Sequence, residues 1–203
     1  GVETVGPTIT LSTAVGGDMA GPSGETYRQL ITTSSSGDIR HLIQSSPAPK
    51  AGLVWSSVFC TDDTTSIRLW GLWFGVTGNP GDTVTPAVEG LYVRCHTQDG
   101  ETQWTVVSHD GGSSTTSSAF GPAIADDHVY RIEARWTATA SVTVTVWDLT
   151  AGTSGSVVVT ATLPAGAGGS FGQQIINKVA ATRRIGFGAI KQANPWGVSS
   201  PTA

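Results

Sequence analysis

Apolar and polar residues alternate along most of this chain, in places regularly enough to assign faces. Leu53 to Cys60 alternates Leu53, Trp55, Ser57 and Phe59 with Val54, Ser56, Val58 and Cys60, and Asp62-Asp63 closes the run. Val129 to Trp136 predicts a strand with Tyr130, Ile132, Ala134 and Trp136 inward, and with Arg131, Glu133 and Arg135 outward as an ion-pair ladder. Val142, Val144 and Val146 alternate with Thr143 and Thr145, and a Gly-rich loop leads to a partner strand at Ser156 to Thr162. Arg183 to Lys191 predicts a closing strand whose glycines permit a bend or a close approach. Ile67 to Val76 is apolar on both faces, which predicts a central strand covered on both sides or buried at an interface. Gly37 to Gln44 fits a strand as well as one or two helical turns.

Gly90 to Asp110 predicts a β-hairpin with a definite register. Asp99-Gly100 suits a two-residue type I′ turn, which needs positive φ at both central positions. Pairing outward sets Gln98 opposite Glu101, His96 opposite Gln103, Cys95 opposite Trp104, Arg94 opposite Thr105, Val93 opposite Val106, Tyr92 opposite Val107 and Gly90 opposite His109. Leu91, Val93, Cys95, Trp104 and Val106 then form a core face, and Tyr92, Arg94, His96, Gln103 and Thr105 the other. The second face mixes aromatic, cationic and amide groups, which suits contact with a ligand, a partner chain or water.

At 203 residues the chain is long enough for one sizeable core. Charged residues make up only 13%, Gly numbers 26, and Ser and Thr are abundant, which favours many short strands joined by small-residue turns. The formal net charge of −4 without a Lys/Arg cluster argues against nucleic acid as a partner. No run of about 18 apolar residues is present to span a membrane, and no charged-then-apolar N-terminus reads as a signal peptide. Residues 1–24 and 193–203, poor in large apolar side chains or carrying Pro195 and Pro201, read as N- and C-terminal arms around a single domain at 25–192. Pro80 to Pro86 and Gly111 to Ser118 read as loops that need a partner's support or stay mobile.

The order LVWSSVFC, SIRLWGLWFGV, a Gly/Pro/Asp/Thr-rich loop, GLYVRCHTQDGETQWTVVSHDGG, GPAIADDHVYRIEARW and SVTVTVWD resembles the concanavalin-like jelly-roll modules of tailed-bacteriophage structural proteins. In that pattern the hairpin carries a Gly-Asp-Thr-x-Trp turn, here Gly100-Glu101-Thr102-Gln103-Trp104 with Glu for Asp. An Asp-x-x-Tyr motif precedes the next strand, here Asp127-His128-Val129-Tyr130. The outline extends from Asp18 to Lys191 and is dense only between Gly90 and Trp147. The resemblance implies an all-β antiparallel sandwich, a lectin-like jelly roll. It further implies a virion subunit of a fibre, spike or capsid decoration, assembled in the host cytoplasm, whose partners are copies of itself (a homo-oligomer such as a trimer), other virion proteins and host-surface polysaccharide. A free carbohydrate-binding module or glycoside-processing enzyme is the alternative.

Two common catalytic signatures are missing from the sequence: there is no His-Glu-x-x-His and no P-loop. A retaining glycosidase places two carboxyl groups about 5 Å apart, but no strand here carries closely alternating carboxylates, and the expectation is a non-enzymatic protein. His41, His96, His109 and His128 are dispersed, and Asp62, Asp63, Asp126 and Asp127 read as strand terminators, so neither metal nor cofactor is expected. Cys60 and Cys95 read as small buried hydrophobes, with a disulfide as the lesser reading. The seven tryptophans are the functional lead, because flat rings stack on sugar C–H faces while amides and charges bind the hydroxyls. Trp70, Tyr92, Arg94, His96, Gln103 and Trp147 are the residues turned away from the expected core, as a glycan face or as packing against a partner.

Overall fold

The computed structural model describes residues 10–11, 15–20, 26–31, 36–37, 39–138, 140–166 and 168–193. The ends of both expected arms, residues 1–9 and 194–203, lie outside these. Two antiparallel seven-stranded sheets stack face to face. The first, sheet A, runs in the order β1 (Thr10–Leu11), β4 (Ile39–Pro47), β13 (Gly168–Asn177), β6 (Ile67–Gly75), β7 (Gly90–Cys95), β8 (Thr105–His109) and β9 (Ser114–Thr116). Sheet B runs β12 (Thr153–Val159), β11 (Ser141–Asp148), β10 (Val129–Ala138), β5 (Val54–Thr61), β14 (Arg184–Ala193), β3 (Thr26–Ile31) and β2 (Val15–Ala20). Within the expected N-terminal arm, Thr10–Leu11 pairs with β4 and Val15–Ala20 with β3. Gly37 to Gln44 enters strand β4 rather than a helix.

The period-2 pattern decides the inner faces. Trp55, Phe59, Tyr130, Ile132, Ala134, Trp136, Val142, Val144 and Val146 from sheet B meet Leu69, Leu72, Phe74, Leu91, Val93, Cys95 and Val106 from sheet A in one core. The Trp55 ring stacks on Phe74 at 4.7 Å, meets Trp136 edge-on at 5.8 Å, and donates from Nε1 to Ser46 Oγ at 3.0 Å. On the outside of sheet B, Glu133 pairs with Arg131 at 2.7 Å and with Arg135 at 2.8 Å, the expected ladder. Tyr130 sends its hydroxyl out of the core to donate to Ala123 O at 3.0 Å and accept from Ala125 N at 2.9 Å. That fixes the loop ahead of β10. Both cysteines are buried thiols and form no disulfide with each other.

The hairpin keeps its predicted register where the strands are paired: Arg94 faces Thr105, Val93 faces Val106, Tyr92 faces Val107 and Gly90 faces His109. Its end differs. A 3-10 turn over Thr97–Asp99 with Gly100 at φ 83° replaces the two-residue turn, and Asp99 and Glu101 both donate to His96 O. The chain therefore leaves the ladder after Arg94, and Trp104 bridges to Phe120 instead of Cys95. Strand β13 is absent from the sequence reading because its Gly, Ser and paired Gln residues interrupt the apolar alternation.

Strand β6 departs from simple alternation at Gly71. Trp70 pairs with Arg94 and Leu72 with the adjacent Val93, so Gly71 is an inserted bulge residue, mirrored where Gly172 and Gln174 of β13 face Trp73 and Trp70. The bulge turns both Trp70 and Trp73 to the outer face, whereas strict alternation would separate them. Glycine is required by close approach: a Cβ here would lie 2.5 Å from Ile132 Cδ1 and 2.9 Å from Trp104 Cζ3. Gly71→Ala is expected to destabilise the protein by about 1–3 kcal/mol through overpacking. Urea unfolding measures this, and a midpoint unchanged from wild type would refute the packing account.

Candidate functional site

The outer face of sheet A is built from rows of facing residues. Gly172, Trp73, Tyr92 and Val107 succeed one another across β13, β6, β7 and β8, with Ile43 of β4 at the end, and the next row is Gln174, Trp70, Arg94 and Thr105. Trp70, Trp73, Tyr92 and Val107 pack as one cluster beside Ile43. The Trp70 ring meets Tyr92 at 5.7 Å and His96 at 4.5 Å, both edge-on, and the Arg94 guanidinium carbon sits 6.0 Å from its centroid. Four of the six residues picked from sequence, Trp70, Tyr92, Arg94 and His96, are thus brought together.

The other two lie elsewhere. Gln103 falls beyond the point where the hairpin opens, is exposed, and donates to Gly121 O at 2.8 Å. Trp147 belongs to β11 in the opposite sheet, where Arg131 covers its ring at 5.0 Å. Trp73 and Gln174, which sequence reasoning passed over, complete the face. Gly71 was the signal for Trp73, since a glycine inside a strand often marks a bulge.

This face is closed. The loop between β6 and β7, expected to need a partner's support, lies across it as a strap held by hydrogen bonds within the chain. Tyr92 Oη donates to Val88 O at 2.8 Å, Gln174 Nε2 to Gly81 O at 2.9 Å, and Arg94 Nη1 to Val84 O. Asp82, near its middle, takes Arg68 at 2.8 Å and Lys178 at 2.9 Å. Burial opposes the charge on Asp82, but Lys178 and Arg68 outweigh it and hold the carboxyl below its ordinary value. Glu89 ends the strap by accepting from Ala165 N at 2.6 Å and Gly166 N at 2.7 Å.

Beneath the strap the polar groups are only partly satisfied. Arg94 is served by Glu101 at 2.7 Å and Thr105 Oγ1 at 3.1 Å, and the second Glu101 oxygen accepts from His96 N at 2.7 Å. Arg68 holds Asp99 through two nitrogens and keeps its carboxyl below the usual range. In contrast Trp70 Nε1, Trp73 Nε1, Gln174 Oε1 and both ring nitrogens of His96 are buried without a hydrogen bond. His96 Nδ1 lies 3.4 Å from Asp99 Oδ2 without the geometry of a bond. Desolvation, with Arg94 nearby, pushes the His96 pKa down to about 3. An unmet buried polar group costs about 1–3 kcal/mol; five such atoms gather under the strap, while Trp104 Nε1 and Trp136 Nε1 in the main core and both Gln173 amide atoms are likewise without a partner.

Several other titratable groups among the described residues are engaged in structure. His128 Nδ1 lies 2.7 Å from Asp148 Oδ2, a pair the sequence did not reveal, and Asp148 Oδ1 accepts from Thr150 N at 3.0 Å and Ala151 N at 2.9 Å. Asp126 Oδ1 accepts from Thr64 N and Thr64 Oγ1, and Asp63 Oδ1 accepts from Thr65 N, as strand-terminating residues do. Among the described residues no three His, Cys, Asp or Glu side chains gather as metal ligands.

Comparison with known proteins locates the architecture. No protein-family model matches the chain, and no curated protein does. Solved structures do. The VIP36 exoplasmic/lumenal domain in its Ca2+/Man3GlcNAc-bound form superposes with a TM-score of 0.63 at 14% identity, over 96% of this chain and 85% of that one. The fold is a lectin-like jelly roll. Carbohydrate-binding module CBM66 from Bacillus subtilis matches this lectin-like sandwich with a TM-score of 0.52 at 10% identity, over 93% of this chain and 96% of the module. The full-length tailspike protein 2 from Escherichia coli O157:H7 bacteriophage CAB120 matches with a TM-score of 0.61 at 14% identity, over 96% of this chain and 26% of the tailspike.

The state of His96 has a measurable consequence. The folded chain keeps it neutral down to about pH 3, while an unfolded histidine takes its proton near 6.5. Between those values the unfolded state binds more protons, so this contribution is complete above pH 6.5 and is lost as pH falls toward 3. One such proton steepens the decline by up to about 1.4 kcal/mol per pH unit. Denaturant unfolding from pH 7 to 4.5 should therefore show a shallower slope for His96→Asn than for wild type. Parallel slopes would sink the assignment.

Proposed function

We propose that this chain is a non-enzymatic virion component of a tailed bacteriophage, a jelly-roll subunit in a fibre, spike or capsid decoration that binds host-surface polysaccharide. The observation that carries the reading is the outer face of sheet A, where Trp70, Trp73 and Tyr92 offer rings beside Arg94, His96 and the unpartnered Gln174 carbonyl. Such a face combines stacking platforms with donors and acceptors for sugar hydroxyls. A tailspike, a carbohydrate-binding module and the Man3GlcNAc-bound VIP36 domain among the similar structures support the setting and the ligand class. Copies of the chain associate with one another, and the terminal segments join other virion proteins. The carboxylates nearest the face support a binding rather than a hydrolytic role, because Glu101, Asp99 and Asp82 are each committed to arginine or lysine partners.

In this reading the strap lifts to admit a glycan, so free affinity is reduced by the fraction of molecules that are open. Isothermal titration against a panel of bacterial surface polysaccharides tests it. Asp82→Ala, which frees the strap from Arg68 and Lys178, is expected to bind more tightly than wild type. Gln174→Leu, close in volume but without the amide, should bind roughly tenfold more weakly, as loss of about 1.4 kcal/mol implies. The polysaccharide should gain no reducing ends. If neither wild type nor Asp82→Ala binds any member, the glycan reading fails, and release of reducing ends would return the enzyme reading.

A further inference from the structure

Each sheet of the sandwich has two edges, and three of the four are protected. Strand β1 has two residues and β9 three, while β2 carries Asp18 and a register shift between Gly16 and Asp18. Short strands, charges and irregularities are the usual means by which an edge avoids pairing with another chain. Strand β12 has none of them. Its seven residues, Thr-Ser-Gly-Ser-Val-Val-Val, keep an unbroken register with β11 from Thr153 to Val159, and among the described residues nothing pairs with their other side. Val158 on its outward side is 60% exposed.

The surroundings of this edge are equally plain. Strand β9, which ends the other sheet, lies on the same side of the molecule, and a groove of about 160 Å³ lined by Thr115, Ser117, Val158, Val159, Thr160 and Ala161 runs between them. From Gly111 to Phe120 and from Leu149 to Pro164 there is no Asp, Glu, Lys or Arg. The wall is neutral, while the chain as a whole carries −4.

We propose that this wall docks a second copy of the chain, with β12 of each copy pairing antiparallel about a twofold axis so that sheet B continues across both. The inference rests on the self-association stated above and names its surface. An antiparallel edge is complementary to itself, since the outward N–H and C=O groups of one strand meet those of its symmetry mate. A partner of different sequence and opposite charge would be selected by charge, and this wall displays none. Two copies with the same net charge repel least where both are neutral. The small Ser154 and Ser156 on the outward side leave room beside the paired backbones, and Val158 loses part of its contact with water.

Light scattering and sedimentation of the full chain over a wide concentration range test this, together with the double variant Ser156→Lys/Val158→Lys. Both side chains point away from the core, and a lysine pair at an edge repels its own copy. Thr137→Lys, on the exposed face of β10, controls for added charge. Circular dichroism and thermal midpoint confirm that each variant folds, and Thr153→Lys stands in if the double variant does not. The expected result is a wild-type oligomer whose dissociation constant rises roughly tenfold or more in the edge variant and is unchanged in Thr137→Lys. Amide exchange across Thr153–Val159 should also slow as concentration rises. An oligomer that survives in the edge variant, with no concentration-dependent protection of β12, overturns the wall but leaves self-association standing. A wild-type chain that is monomeric throughout overturns both.

Discussion

Strand β6 is buried on both faces, and much of the molecule follows from that constraint. Its inner side chains, Leu69, Leu72 and Phe74, belong to the core between the sheets, while Trp70 and Trp73 need cover on the opposite side. A two-layer sandwich has no third layer to provide it, so the loop between β6 and β7 does the work. A helix would bring apolar surface to bury. The strap is rich in Gly, Pro and Thr, and it closes the face with hydrogen bonds and the ion pairs of its one aspartate, Asp82, instead.

That mode of closure has an energetic signature. Apolar cover over an aromatic face would be stabilised in proportion to area, whereas half-exposed ion pairs such as Asp82 with Lys178 contribute little in water. Against this modest gain stand the indole, imidazole and amide groups left without partners beneath. The aromatic packing holds the sheet together whether or not those groups are met. Lifting the strap uncovers the fully buried rings of Trp70, Trp73 and Tyr92, so whatever replaces it has to bury those rings as well as meet the unpartnered groups.

Where contacts are local, the sequence was a sufficient guide. Alternation assigned the inward residues of β10 and separated the two faces of β5 and β11, and the hairpin register held from Gly90 to Arg94 because Tyr92 and Val93 have unambiguous faces. Two kinds of feature were hidden. The bulge at Gly71 breaks the period on which face assignment rests, and only the Ile132 and Trp104 side chains from distant segments explain why glycine stands there. The strap is non-local in the same sense. Nothing in Gly78 to Glu89 announces that its carbonyls meet Gln174, some ninety positions later, or that Asp82 will find Lys178. The expected six-residue face divided for a related reason: alternation says that Trp147 points outward but not from which sheet.

The two outer faces finish with opposite characters. On sheet B the charges are matched in the Arg131, Glu133 and Arg135 ladder, and Arg131 already occupies the ring of Trp147, so that surface is satisfied by itself in water. On sheet A the polar groups are enclosed and only partly matched. The neutral edge at β12 is perpendicular to both, so continuing sheet B into a second copy leaves the strap side of each copy unobstructed. A weak binding site gains from being presented more than once on one rigid body, because the second contact is made at high effective concentration. Under the proposed function and pairing, the uncharged edge and the face closed by polar contacts serve the same end, since each added copy would bring a site without covering one.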